Sequence, residues 1–327
     1  MYSDITRRKF VINAAAAAAL TMVPTGALGS EAAKRKNTFS VSLNSYSYGQ
    51  FDVAQCLEQI KKTPIRMLEL PVEQSRPNSL IPELMVEAPL GGEWQYSLPD
   101  LKQLLAKDGF QAESLDIFGF MGYQGSEPII KRRIDFAERL GSKTIVLGCY
   151  HEAFDQPAET SGGGESREVK EARAYIYSML RNVSDYAATK DIRIALEIHG
   201  GITANAEEAF RTLNEVNRDN LGINFDVANI LIYNRDMDAA GGAQALQSLA
   251  KHVFHVHLKD VIRKPGEEKP GEEKFVNPRL GQGEVDFHKA FDILHGVGFY
   301  GPFSFEIETF QSDTAVNDIT AYHRDME

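Results

Sequence analysis

Cysteine is scarce: Cys56 and Cys149 are the only two in 327 residues. That excludes a disulfide framework and any zinc-finger spacing; packed thiols are the plain reading of both. Positive charge is also short. Against 46 Asp and Glu stand 35 Lys and Arg, a net charge of −11, which argues against nucleic-acid backbone as a partner. No Gly-x-Gly-x-x-Gly follows an early strand, so a dinucleotide fold has no support, and glycines 162–164 lack the lysine of a phosphate loop. No repeat is visible at residue level. The alanine-rich stretch 11–23 is short and weakly apolar for a bilayer span, which needs about 20 residues. What remains is ordinary globular composition, 43% hydrophobic and 25% charged, long enough for one large core or two smaller domains.

The N-terminus reads as processing signal rather than fold. Thr6-Arg7-Arg8-Lys9-Phe10 precedes stretch 11–23, and Ala27-Leu28-Gly29 supplies small residues after it. The paired arginines followed by Phe10 resemble a twin-arginine signal. That resemblance implies export in the folded state, to the periplasm or otherwise outside, with any metal acquired beforehand in the cytoplasm. The expected division is 1–29 export signal, 30–37 solvated linker and 38–327 a single domain. A membrane anchor is the weaker alternative, and stable membrane insertion is not expected.

Along the rest, short apolar runs alternate with helical periodicity. Residues 39–43, 64–70, 111–117 and 143–147 read as strands; 51–61, 98–107, 129–140 and 169–189 read as helices. Pro99 lies near one helix start and Gly141 stops another. A polar connection to about residue 97, holding Gly91-Gly92-Glu93-Trp94, is long enough to cover a site. Residues 161–165 read as a flexible loop. Four further runs, 192–199, 221–226, 253–260 and 302–308, are separated by helices at 206–216, 240–252 and 285–295 and by an exposed excursion at 262–280. Eight such alternations fit α/β architecture as a single (β/α)8 barrel.

The last four runs share a plan: apolar residues, then chemistry at the C-terminal end. Glu197, Asp226 and His257 are 29 and 31 residues apart, close to one strand–helix unit each; Glu306 follows 49 later, across the excursion. At equivalent heights on neighbouring barrel strands these side chains would converge. Two Glu, one Asp and one His form an oxygen-rich set suited to one divalent ion, Mn, Mg or Co, with Zn also fitting. The alternative for each is an ordinary solvated strand-end charge.

The motifs Leu196-Glu197-Ile198-His199-Gly200-Gly201, Phe225-Asp226-Val227-Ala228-Asn229, Val256-His257-Leu258-Lys259-Asp260 and Leu280-Gly281-Gln282-Gly283-Glu284-Val285-Asp286, then Gly298–Pro302 leading into Phe305-Glu306-Ile307-Glu308, resemble the xylose-isomerase-like barrel superfamily, the sugar phosphate isomerase/epimerase group. The resemblance covers about 39–310. It implies metal ligands Glu197, Asp226, His257 and Glu306, and proton transfer by Glu197 and Glu306 on a small sugar substrate next to a metal-stabilised enediolate. His199, Lys259, Arg263 and Glu308 are the candidate substrate contacts. Lys259 could instead pair with Asp260, His199 could be structural, and Arg263 could be solvated. His255 shares the inward parity of His257 and reads as packing. Glu69, His151 and Glu152 could line the rim, with Tyr46 and Trp94 as stacking surfaces.

Two departures qualify the resemblance. Ketose 3-epimerases carry an acid six residues after the first ligand, here Thr203, and a histidine three after the Asp ligand, here Asn229. Three activities therefore stay open: a metal-dependent isomerase or epimerase of a small sugar; a lyase or dehydratase of a keto sugar, 3-keto-glycoside or inosose; and a carbohydrate-binding barrel without turnover. Homo-oligomer formation is left open, and an exported protein is expected to meet a free sugar, a cyclitol or an oxidised glycoside rather than a sugar phosphate.

Overall fold

A computed structural model describes residues 40–48, 51–72, 98–117, 121–155, 165–264 and 275–306. The expected signal and linker, the Gly91–Trp94 connection, glycines 162–164, Glu308 and the Tyr46 side chain lie outside the described residues.

In chain order the elements are β1 (Val41–Asn44), α1 (Val53–Ile60), β2 (Met67–Val72), α2 (Leu98–Lys107), β3 (Gln111–Ile117), α3 (Ser126–Leu140), β4 (Thr144–Leu147), α4 (Arg167–Ala188), β5 (Arg193–Glu197), α5 (Ala206–Val216), β6 (Leu221–Asp226), the short α6 (Asn229–Tyr233), α7 (Ala239–Leu249), β7 (Val253–Leu258), α8 (Phe287–Gly296) and β8 (Phe303–Phe305). The eight strands close a parallel barrel in the order β1-β8-β7-β6-β5-β4-β3-β2. Part of the 262–280 excursion is a two-stranded antiparallel hairpin, Ile262–Arg263 against Phe275–Val276. No helix among the described residues is long and apolar enough to cross a membrane.

Local chemistry sets the helix ends. Asp52 opens α1 with a capping box closed by Gln55. Ser166, Asn205, Asp238 and Asp286 each accept a backbone N–H at the start of α4, α5, α7 and α8, each cap contributing about 1 kcal/mol. Gly141, at φ 96°, ends α3 in the left-handed conformation. Ile176, Leu180, Val183 and Ala187 recur on one face of α4 and are buried, the stripe that seats a helix on the barrel.

Strand side chains alternate. Leu43, Leu68, Leu115, Ile145, Leu196, Ile223, Val256 and Phe303 enter the apolar core beneath the helices. The opposite parity carries Ser42, Asn44, Glu69, Ser114, Asp116, Asn224 and Ser304, all buried. The barrel interior is therefore polar, and its groups must find partners there. Two bulges adjust the register: Glu113 is the extra residue between β2 and β3, and Phe254 between β6 and β7. A Cβ at Gly222 would lie 2.5 Å from the Phe254 ring, so glycine is required where that ring seats. After the Phe254 bulge, His255 and His257 both face inward.

Candidate metal centre

Parallel strands deliver their chemistry at their C-terminal ends. Glu197 and Asp226 are the last residues of β5 and β6, His257 is one residue from the end of β7, and Glu306 follows β8 directly. All four are buried, with one ligand atom each within 4.8 Å of the others. His257 Nδ1 lies 3.3 Å from Glu197 Oε1, 3.2 Å from Glu306 Oε2 and 3.9 Å from Asp226 Oδ2. Three carboxylates buried together need compensating positive charge. His257 Nδ1 is buried without a hydrogen-bond partner, and Asp226 Oδ2 is buried with the Lys259 ammonium 3.0 Å away. Converging carboxylate and imidazole atoms of this kind fit a divalent cation.

The residues around the cluster hold it in place. Asp226 Oδ1 accepts the backbone N–H groups of Ala228 and Asn229, both at 2.8 Å, which turns Oδ2 toward the centre. Asn229 Nδ2 donates to Glu197 Oε1 at 3.3 Å, and Thr203 Oγ1 donates to the Glu197 carbonyl at 2.6 Å. The two positions that depart from the ketose 3-epimerase pattern thus brace Glu197. Lys259 Nζ stands 3.0 Å from both Asp226 and Glu306. It does not pair with Asp260, whose carboxylate accepts amides from Val261, Gly281, Gly283 and Val285. That anchoring accounts for the Leu280–Asp286 motif, and a Cβ on Gly283 would come within 2.3 Å of Asp260 Oδ1.

Burial is the largest influence on each titrating group, and neighbours decide the outcome. Burial pushes Asp226 up to about 7, with Lys259 opposing and Glu306 reinforcing. For Glu306 burial is outweighed by Lys259 and His257, which hold it well below the usual carboxylate range. For His257 burial is outweighed by Glu69 and Glu306, and the imidazole is raised well above its usual value.

The remaining candidates sit elsewhere. His199 is half-buried outside the cluster, its Nδ1 3.2 Å from the Tyr233 hydroxyl. Arg263 is folded into the hairpin: its guanidinium binds Glu284 at 2.6 Å and the carbonyls of Leu231, Arg235 and Met237. The hairpin turns it into a strut, with its donors spent on protein acceptors. His151 stacks on Tyr123 and its Nδ1 accepts the Ala153 N–H; Glu152 is exposed. Glu69 is fully buried inside the barrel, away from any rim. Asp116 was not foreseen. It is buried on β3 and accepts a hydrogen bond from Asn44 Nδ2 at 2.9 Å. Burial, then Glu69, raises it well above the carboxylate range. Its inward strand parity was the only signal available.

A family model described as Xylose isomerase-like TIM barrel matches residues 57–326. The chain belongs to that family. Among curated family relatives, a ketose 3-epimerase of Arthrobacter globiformis is 26% identical over 252 residues, 72% of this chain and 76% of that protein. An L-ribulose-5-phosphate 3-epimerase, UlaE, of Salmonella typhi is 27% identical over 195 residues, and the match spans 59% of this chain and 58% of that relative. Solved structures of similar fold include an IolI protein with a bound zinc atom, at TM-score 0.64, 21% identity, and 88% and 96% coverage of this chain and that one. A Mycobacterium smegmatis barrel in complex with magnesium superposes at 0.63, with 16% identity and 88% and 97% coverage. The 3-keto-D-glucoside 4-epimerase YcjR of E. coli superposes at 0.60, with 18% identity and 88% and 99% coverage. At such identities the structures establish the fold alone.

Proposed function

We propose that this chain is a divalent-metal-dependent isomerase or epimerase of a small, unphosphorylated sugar or sugar derivative. The observation that carries the reading is the convergence of one buried ligand atom each from Glu197, Asp226, His257 and Glu306, all within 4.8 Å of one another. Glu197, Asp226, His257 and Glu306 would hold the cation. When bound, it supplies Lewis acidity beside a carbonyl group, which eases loss of a proton from the adjacent carbon. Side chains do the rest. Glu197 and Glu306 stand on β5 and β8, on either side of the β6–β7 pair. One takes the carbon-bound proton and the other returns it, to the same or the opposite face. Lys259, 3.0 Å away, keeps Glu306 ionised, while Asn229 restrains the Glu197 carboxylate. The curated relatives, sugar 3-epimerases by name, support this class of chemistry.

Arg263 spends its donors on protein acceptors, which favours a free sugar over a phosphorylated one. Residues 1–29 are read with this function as a twin-arginine export signal; replacing Arg7 and Arg8 by lysine should retain the protein inside the cell, and unchanged export would remove that part. A lyase acting on a keto sugar is the second reading, favoured by Asp116, a buried carboxyl group biased toward its protonated form and able to give a proton to a departing oxygen.

The test is metal content together with carbon-proton exchange. Reconstituted protein should hold about one equivalent of divalent metal. In D₂O, NMR should then show deuterium entering one member of a panel of ketoses, inososes and 3-keto-glycosides, and Glu306→Gln should abolish that signal. An unsaturated or cleaved product would select the lyase. Folded protein that takes up no metal would overturn both readings.

A further inference from the structure

β2 reads Met-Leu-Glu-Leu-Pro-Val, with one carboxylate inside an apolar strand. Glu69 is fully buried, which is costly unless its charge is met by donors. The donor is a ligand. His257 Nε2 lies 3.0 Å from Glu69 Oε2. Below, His255 Nε2 is 3.9 Å from Glu69 Oε1 and 3.2 Å from both Glu113 and Ser114, while its Nδ1 is 3.0 Å from Asn224 Oδ1. The two imidazoles meet edge to face, 5.5 Å apart at 84°. The two bulges set this arrangement, one placing Glu113 beside His255 and the other turning both histidines inward.

A neutral imidazole has one N–H, and an ionised carboxylate can only accept. Glu69 therefore requires the proton on Nε2, which leaves the Nδ1 lone pair facing Glu197 and Glu306. We propose that Glu69 is a positioning residue that fixes the tautomer and ring orientation of His257, so that Nδ1 is the ligating atom. The inference rests on the metal reading above. It makes β2, on the wall that carries no ligand, part of the metal centre.

Manganese affinity, measured by chelator competition on the full chain, tests it with Glu69→Gln and Glu69→Ala. The glutamine carbonyl can still accept the Nε2 proton, so Glu69→Gln should stay within about tenfold of the parent, whereas Glu69→Ala should lose about 10- to 100-fold. Equal losses would reduce Glu69 to a simple negative charge and overturn the proposal. So would lowered melting temperature with unchanged affinity in Glu69→Ala, which would mark a purely structural role. Two equivalents of manganese in the parent, one lost in both Glu69→Gln and His255→Ala, would replace it with a second metal held by Glu69, His255 and His257. ¹⁵N-histidine NMR on alkaline, metal-free protein separates this inference from the metal reading. A protonated Nε2 on His257 in the parent, lost in Glu69→Ala, supports it even if metal uptake fails; a protonated Nδ1 in the parent overturns it.

Discussion

The two walls of the barrel use buried carboxylates in opposite ways. On β5–β8, Glu197, Asp226 and Glu306 are crowded around one imidazole, with the Lys259 ammonium against two of the three carboxylates. On β1–β3, Glu69 and Asp116 each have a neutral or imidazole partner, His257 and Asn44. Atoms without a hydrogen-bond partner occur deeper as well, among them the Ser42 and Ser304 hydroxyls, Asn224 Nδ2 and the second Glu69 oxygen. One wall concentrates like charge and calls for a cation. The other spaces its acids among neutral or imidazole partners. Burial alone therefore does not mark a candidate ligand; what marks it is the convergence of several carboxylates on one imidazole.

The largest test of this contrast is Asp226→Asn. It should abolish metal uptake and lower turnover by about a thousandfold or more, measured by metal analysis and deuterium exchange. Residual tight binding would show that the β5–β8 wall is not the metal site. Metal affinity should also rise with pH. Asp226, near 7 in the metal-free protein, must lose its proton to bind, and so must His257. Each released proton steepens the dependence by at most about tenfold per pH unit. The Asp226 contribution should level off above about 7, while the His257 contribution continues upward. Calorimetry in buffers of different ionisation enthalpy would count the protons. Affinity that falls with rising pH would break the assignment.

Asp116→Asn should do far less. The Asp116 charge is already disfavoured by burial and Glu69, so the isosteric amide should leave metal stoichiometry intact and shift melting by an amount equivalent to about 1 kcal/mol or less. Loss of metal would move Asp116 into the ligand set and erase the distinction between the walls. The smallest effect lies on the loop after β4. The Cys149 thiol is pushed up to about 12 by burial, so it should resist alkylation at neutral and mildly alkaline pH until the chain is unfolded. Mass spectrometry of labelled native protein would reveal any exception.

The β5–β8 wall was the legible one. A run such as Ile-Ala-Leu-Glu marks where a strand leaves the apolar shell, so Glu197, Asp226, His257 and Glu306 could be read from the pattern. Glu69 reads as a rim residue and Asn44 and Asp116 are passed over, because an inward polar residue in a barrel strand looks, in one dimension, like an outward polar residue facing solvent. Arg263 illustrates the reverse. Six residues past His257 it has the spacing of a substrate clamp, yet the hairpin folds its guanidinium onto Glu284 and three carbonyls.

Local sequence determined the helix limits, through Asp52, Ser166, Asn205 and Gly141, and the alternation that makes a barrel, because caps and periodicity act within a few residues. It also determined which residue types stand at the ends of β5–β8. Tertiary structure alone decided that Asp260 anchors a loop while Lys259 enters the cluster, that Asn229 and Thr203 brace Glu197, and that Glu69 reaches His257 from 188 residues away. Those outcomes depend on strand register and two bulges, and a one-residue shift in register reverses which face a side chain occupies.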